Sequence, residues 1–356
     1  MAQKLLIVTQ AVDTEDPALG FFVRWIEEFA QHFDRIEIIC LTMGMFTVPS
    51  NVRVHSLEKE RGRPVFGSAA YALRFLRLIW KLRHDYDSVF VHMNPEYVVL
   101  GGALWRMLGK RVVLWYAHRA VMLRLRVAAC FAGMVATISA ASFNLRSRKV
   151  RTLGHGIDTD AFRNPHPSRT LHDPIEIICV GRVTPIKDQG TAIRALALLR
   201  DQGFRARLTF VGAPTVARDE KYAASLRRLV REKGLEGQVT FAGAVVSTRM
   251  PEHYWANDIS LNLCPTGGLD KVVFESMAAG VPPLVANCGF ETYLGSDASR
   301  LLFAHGDPRN LANRIRALAV APDLREVKGR LVETARQKAD VRVLVAAVVR
   351  LLEVPS

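Results

Sequence analysis

Two stretches of this 356-residue chain carry side chains whose types and spacing suit the holding of a diphosphate. In Val180-Gly181-Arg182-Val183-Thr184-Pro185-Ile186-Lys187 an apolar run ends in a glycine, and two cations follow before a helical pattern begins. Gly181 lets the chain turn. Arg182 and Lys187 then emerge at a strand's carboxyl edge, where cations and helix-terminal amides together suit a pyrophosphate. Taken in isolation, the same residues also read as two solvated cations at a strand end. The second stretch runs from Thr266-Gly267-Gly268-Leu269-Asp270-Lys271 to Glu275-Ser276-Met277-Ala278-Ala279-Gly280. A strand ends at Cys264-Pro265, a glycine loop follows, and a helix begins near Lys271 with Asp270 as its N-cap. The backbone amides of Leu269, Asp270 and Lys271 would cradle an anion or a hydroxyl. Glu275, one turn further along the same face, would accept two hydrogen bonds from a ribose diol. Its alternative reading is a solvent-exposed helix carboxylate.

These residues need a scaffold that brings strand ends together, and the sequence supplies one. Short apolar runs predict strands at Leu5–Thr9, Ile36–Leu41, Val52–Leu57, Ser88–His92, Arg111–Tyr116, Met134–Ile138 and Val150–Leu153. Helical patterns fill the gaps at Gly20–Phe33, Ala69–His84, Tyr97–Leu108 and His118–Cys130. Nearly continuous apolar strands alternating with helices predict a parallel sheet covered on both faces. The opening strand, loop and helix are Rossmann-like. The polar, proline-containing stretch 158–174 breaks the alternation. Beyond it, strands are expected at Ile175–Val180, Ala206–Val211, Gln238–Phe241, Ile259–Leu263, Pro283–Ala286 and Arg300–Phe303. Helices are expected at Gln189–Gln202, Ala217–Lys233, Arg249–Ala256, Lys271–Ala279 and Pro308–Val320, with two more towards the C-terminus. The expected organisation is an N-terminal Rossmann-like domain over 1–160, a linker over 161–174 and a second such domain over 175–339. A last helix, about 340–356, would pack back on the first domain. Ligands of such sheets sit outside the carboxyl ends of the strands, so a cleft between two facing domains is the natural site.

Composition narrows the chemistry. Hydrophobic residues make up 49% and charged residues 23%, the balance of an ordinary folded chain. The five cysteines are scattered and form no C-x-x-C, which fits a reduced compartment and argues against a zinc site. The stretch Met1–Thr9 is too short an apolar run for a secretory signal. The uncharged run Val127–Leu145 is read as a helix end, a strand and another helix start rather than a membrane span. No G-x-x-x-x-G-K-[ST] or G-x-G-x-x-G occurs, which disfavours triphosphatases and NAD enzymes. Asp85-Tyr86-Asp87 precedes a strand and reads as a turn, and Asp158-Thr159-Asp160 reads as linker. His92, at a strand end, ranks below His118 as a site residue.

The formal net charge is +14, and residues 61–151 hold 16 Lys and Arg against Asp85, Asp87 and Glu96. Such a patch points to an anionic partner. Arg74, Arg77, Lys81 and His84 recur at helical spacing on one face, with Leu73, Leu76 and Trp80 assigned to the other. Arg146, Arg148, Lys149 and Arg151 add to the patch. A basic amphipathic helix reads either as a membrane-surface binder or as a helix whose apolar stripe is core.

Taken together, these motifs resemble the retaining GT-B glycosyltransferases of family 4 (glycosyltransferases group 1). The family's G-R-[LV]-x-x-x-K appears as Gly181–Lys187, its F-x-G as Phe241-Ala242-Gly243, and its E-[AS]-M-A-x-G-x-P as Glu275–Pro282. Gly154-His155-Gly156-Ile157-Asp158 through Phe162 is similar to its N-G-[VI]-D-x-x-x-F. The resemblance implies two Rossmann-like domains facing each other across a cleft. It assigns Arg182 and Lys187 to the donor diphosphate, Glu275 to the ribose and the backbone near Val245 to the base. It also assigns the amides of Gly268 to Lys271 to the donor sugar and phosphate. Gly20 matches the loop that closes on the phosphates, and His118 matches the histidine beside the transferred sugar. The family's first glutamate of E-x7-E falls on Gly267, and its linker Asn on His155.

The implied activity is a metal-independent, hexosyltransferase-like enzyme using a nucleotide-diphosphate sugar and no cofactor. The acceptor would be lipid-linked or a saccharide, in cell-surface polysaccharide, glycolipid or glycoconjugate synthesis. The expected location is cytoplasmic, with peripheral attachment to the inner face of the plasma membrane through residues 61–151. Alternatives are a degenerate nucleotide-sugar-binding protein without catalysis and an epimerase acting on the donor. A nucleic-acid role is not expected, because no RNA- or DNA-binding module is visible.

Overall fold

The apolar runs become buried parallel strands in the computed structural model, which describes residues 3–16, 18–62, 67–118, 120–140, 143–166, 171–265 and 268–353. The chain divides into two compact units: Met1–Gly156 with Val341–Ser356, and Ile157–Asp340.

In the first unit seven strands form one parallel sheet: β1 (Lys4–Val12), β2 (Arg35–Met43), β3 (Val52–Ser56), β4 (Ser88–His92), β5 (Arg111–Trp115), β6 (Met134–Thr137) and β7 (Val150–Thr152). Their order is β3-β2-β1-β4-β5-β6-β7, with Leu5 opposite Ile36 on one side and Ser88 on the other. Leu5, Leu6, Ile7 and Val8 are completely buried, as a strand covered by helices on both faces requires. Phe22, Trp25, Ile26 and Phe29 bury one face of the helix Phe22–Ala30 at i, i+3, i+4 and i+7 spacing. The helix Val341–Glu353 joins this unit, where the Arg111 guanidinium donates to the carbonyl of Leu352 at 2.9 Å.

The second unit holds β8 (Ile175–Val180), β9 (Ala206–Val211), β10 (Val239–Gly243), β11 (Ile259–Asn262) and β12 (Pro283–Val285), all parallel. The order β10-β9-β8-β11-β12 reverses direction between β8 and β11. Doubly wound sheets open a ligand crevice at this reversal.

Three expectations are corrected. Arg300–Phe303 is not a strand. Residues Ala298–Leu301 form a short helix, with Arg300 bound to Asp323 at 2.7 and 2.9 Å, and only Leu302 bridges to Val285. So short an apolar run fits either state. The helix expected over His118–Cys130 begins at Leu123, which leaves His118 in a loop. The helix start expected after Ile138 falls at Ala140, which begins a helical turn, and on 141–142, which lie outside the described residues. Finally, the helix Ser68–Lys81 buries Phe75 and Ile79, while Leu73 and Trp80 are 50% and 52% exposed. Of the face assigned from Leu73, Leu76 and Trp80, only Leu76 packs against the core, so the core face is turned away from Leu73 and Trp80.

Part of the basic patch is structural. The Lys149 ammonium donates to the carbonyls of Ala129 and Ala132 at 3.0 and 2.8 Å, at the end of the helix Leu123–Phe131. Asp85-Tyr86-Asp87 forms the turn before β4, with Asp85 bound to Arg35 at 2.9 Å and the buried Tyr86 hydroxyl donating to the Ile79 carbonyl. Among the described residues no helix is long and apolar enough to cross a membrane.

Candidate active site

Three strand ends of the second unit are stitched backbone to backbone. The Gly181 amide donates to the Val211 carbonyl at 2.9 Å, and the Gly212 amide donates to the Gly243 carbonyl at 2.7 Å. Gly181 and Gly212 both adopt positive φ, 144° and 138°. A Cβ on Gly212 would lie 2.0 Å from the Gly181 carbonyl oxygen, so no other residue fits.

From this junction the chain runs through exposed Arg182 to Thr184, whose hydroxyl donates to Asp219 at 2.8 Å and holds that carboxyl below its usual range. Gln189 opens the helix Gln189–Asp201 and returns a hydrogen bond from its side-chain amide to the Arg182 carbonyl at 2.9 Å. This bond fixes the loop that presents Arg182 and Lys187. Among the described residues Arg182 has no carboxylate partner.

Lys187 crosses from the end of β8 to the loop after β11. Its ammonium contacts Asp270 Oδ2 at 2.6 Å, and the Asn262 side-chain amide donates to the same oxygen at 2.8 Å. Asp270 occupies the N-cap position of the helix Lys271–Ala278, but its side chain makes no cap hydrogen bond. The expected cap is thus corrected: a charge-assisted bond to Lys187 outcompetes a bond to a neutral amide. The Asp270 side chain thus leaves the start of this helix to its dipole, which attracts an anion. Among the described residues the buried Asn262 side-chain oxygen has no hydrogen-bond partner.

Glu275 is buried, only 4% exposed, which rules out the solvent-exposed alternative. Lys271 pairs with its Oε1 at 3.0 Å, and the Tyr254 hydroxyl lies 3.3 Å from its Oε2 and 3.0 Å from the Val272 carbonyl. Burial, with the Glu275 charge beside it, pushes the Tyr254 phenol well above its ordinary range. A carboxylate held this firmly can orient a diol.

Lys187, Asp270, Lys271 and Glu275 therefore come together at the reversal between β8 and β11, with Gly268 and Leu269 in the loop leading to them. Val245 lies half-buried in the loop after β10, at the same sheet edge as Arg182. Gly267 lies outside the described residues. Gly20 and His118 belong to the first unit. Gly20 is buried in the turn before the helix Phe22–Ala30, its amide bonded to the Asp16 carbonyl at 2.9 Å. His118 is exposed, its ring centroid 6.2 Å from that of Tyr116.

His92, at the end of β4, is buried against Phe22, whose ring stacks on it at 4.2 Å, with Phe21 and Trp25 alongside. Burial pushes its pKa down to about 3, so the imidazole stays neutral near pH 7. Its packing is that of a core side chain, in line with its lower rank.

Sequence reasoning missed Asn262, Tyr254 and Gln189. A strand-end asparagine and a helix tyrosine carry no local signal that they meet a carboxylate far along the chain. A cavity of about 700 Å³ elsewhere in this unit is lined by His172, Asp258, Trp255 and Lys328. His172 and Asp258 precede β8 and β11, so the cavity lies at the opposite sheet edge from Lys187.

The site's geometry can be set beside known proteins. Residues 174–320 match the family model of Glycosyl transferases group 1. Three solved structures share the fold along nearly the whole length. HepE from Anabaena, in complex with UDP and glucose, is 19% identical, with a TM-score of 0.75 over 99% of this chain and 100% of its own. Sucrose-phosphate synthase from Thermosynechococcus elongatus is 16% identical, with a TM-score of 0.76 over 98% of each chain. TarM, known from Staphylococcus aureus, is 9% identical, with a TM-score of 0.73 over 99% of each chain. These identities speak for fold: two doubly wound α/β units of the GT-B class. No curated protein sequence matches this chain.

Proposed function

We propose that this chain is a retaining, family 4-like glycosyltransferase that moves a sugar from a nucleotide-diphosphate donor to an acceptor hydroxyl. The observation that carries the reading is the convergence of Lys187, Asp270 and buried Glu275 at the β8–β11 reversal, beside the start of the helix Lys271–Ala278. The match of residues 174–320 to the glycosyltransferase model and the UDP held by HepE support the same reading.

The hard event in such a reaction is departure of a diphosphate from an oxocarbenium-like sugar. Arg182, Lys187 and the helix-start amides would stabilise the charge that grows on the leaving group, and preorganised electrostatics of this kind is usually the largest single catalytic contribution. Two cations and two helix N-termini supply that charge from the protein itself, so the mechanism calls for neither a metal nor a cofactor. The donor phosphate would take the acceptor's proton, which dispenses with a separate general base. Glu275 would hold the ribose diol, the Val245 backbone would border the base, and Gly268 to Lys271 would face the sugar. Gly267 leaves this chain without the family's first carboxylate, and Asp270 would take its place. Gly20 and His118 are assigned to the first unit's share of phosphate and sugar contacts, with a lipid-linked or saccharide acceptor in envelope glycoconjugate synthesis.

Gly267 also motivates a second reading, a binder that has lost transfer. Incubating the wild-type protein with UDP-, GDP- and ADP-sugars, with and without lipid-linked and oligosaccharide acceptors, separates the readings. Transfer predicts a glycosylated acceptor with the anomeric configuration of the donor. Nucleotide-sugar affinity without product would establish the binder, and an altered free sugar released without acceptor would establish an epimerase.

A further inference from the structure

We propose that the outer surface of three consecutive helices in the first unit, Ser68–Lys81, Pro95–Met107 and Leu123–Phe131, docks on an anionic lipid leaflet. All three pack on one core cluster, through Phe75 and Ile79, Val98 and Trp105, and Leu125 and Ala128. Their opposite faces therefore point the same way, away from the sheet.

Those faces are apolar where a solvated helix would be polar. Among the described residues twelve large hydrophobic side chains are exposed, and six belong to this layer: Leu73, Trp80, Leu100, Met107, Met122 and Leu123. Met107 and Leu123 are the most extreme of these, at 84% and 76% exposed. On the first helix Leu73, Arg77 and Trp80 fall within an arc of about 60° at 100° per residue, opposite buried Phe75 and Ile79. The spacing is that of a face, not of scattered exceptions.

The charge between these side chains selects the occupant. Arg77, Lys81, Arg106 and Arg126 are exposed, and no carboxylate partner pairs with any of them among the described residues. Arg124 pairs with Glu96 at 2.6 Å, and the Arg83 guanidinium lies over the Trp80 ring at 4.5 Å. Apolar side chains interleaved with unpaired cations, with an indole among them, match the boundary between headgroups and acyl chains. The surface lies wholly within the first unit, so the inference stands independently of the sugar-transfer reading.

The test is co-sedimentation of the full chain with vesicles of phosphatidylglycerol and phosphatidylcholine, against phosphatidylcholine alone. Binding is expected only to the anionic vesicles and is expected to weaken as salt rises. Arg77→Gln and Lys81→Gln should each weaken it about five-fold, which corresponds to ~1 kcal/mol per cation near an anionic leaflet. Leu73→Ser with Trp80→Ser should weaken it further while leaving circular dichroism unchanged, since both positions are exposed. Equal binding to both vesicle types, no binding, or wild-type binding by all these variants would overturn the proposal. So would lipid-free self-association that the serine variant abolishes, which would assign the face to a second copy of the chain.

Discussion

Among the described residues Asp270 receives its two side-chain partners, Lys187 and Asn262, on Oδ2. A carboxylate loaded on one oxygen keeps acceptor capacity on the other, so Oδ1 is suited to a donor-sugar hydroxyl where Gly267 supplies no side chain. The same negative charge opposes a diphosphate at Lys187. Asp270→Asn is therefore expected to separate two quantities. Nucleoside diphosphate affinity should hold or rise, because a like charge is removed. The kcat/KM for the sugar donor should fall about 10- to 100-fold, the range expected for loss of a charge-assisted hydrogen bond of ~1.5–3 kcal/mol. Titration of UDP alone, set beside steady-state rates, reads both, and a variant with wild-type kcat/KM would leave Asp270 without a part in sugar recognition.

At the scale of elements, the site also depends on a junction of strand ends held backbone to backbone. Gly181, Gly212 and Gly243 carry the junction of β8, β9 and β10 through their backbones. Gly212→Ala would drive a Cβ into the Gly181 carbonyl. Overpacking of this kind costs ~1–3 kcal/mol, and donor affinity should fall along with the urea midpoint. An unchanged midpoint with unchanged affinity would show the junction to be dispensable.

Most strands were legible because they are largely apolar runs bounded by polar turns, and the expected boundaries of β4, β8 and β9 match those observed. The helix Ser68–Lys81 was legible as a helix but not in orientation, since both of its faces carry apolar residues and only the tertiary partner selects one. Arg300–Phe303 failed because a buried Asp297 and a half-buried Asp323 draw Arg300 into a helical turn. In the site, Arg182, Lys187 and Glu275 were legible from motif spacing. Asn262 and Tyr254 were not, because the contacts Asn262–Asp270 and Tyr254–Glu275 arise only when separate elements assemble.

On the scale of the whole molecule, two units repeat one plan: a parallel sheet whose strand order reverses, between β1 and β4 in one and between β8 and β11 in the other. The second unit holds the cations, the helix start and the buried glutamate. The first holds Gly20, His118 and the basic, apolar helix layer. The central claim is that Arg182 and Lys187 grip the donor's diphosphate, and thermal unfolding with nucleotide sugars tests it most directly. A ligand at a hundred times its Kd stabilises the folded state by about 2.7 kcal/mol. One of the UDP-, GDP- or ADP-sugars should therefore raise the wild-type Tm, and Arg182→Ala or Lys187→Ala should abolish that rise while leaving the ligand-free Tm within a degree or so. An undiminished rise in both variants would contradict the account.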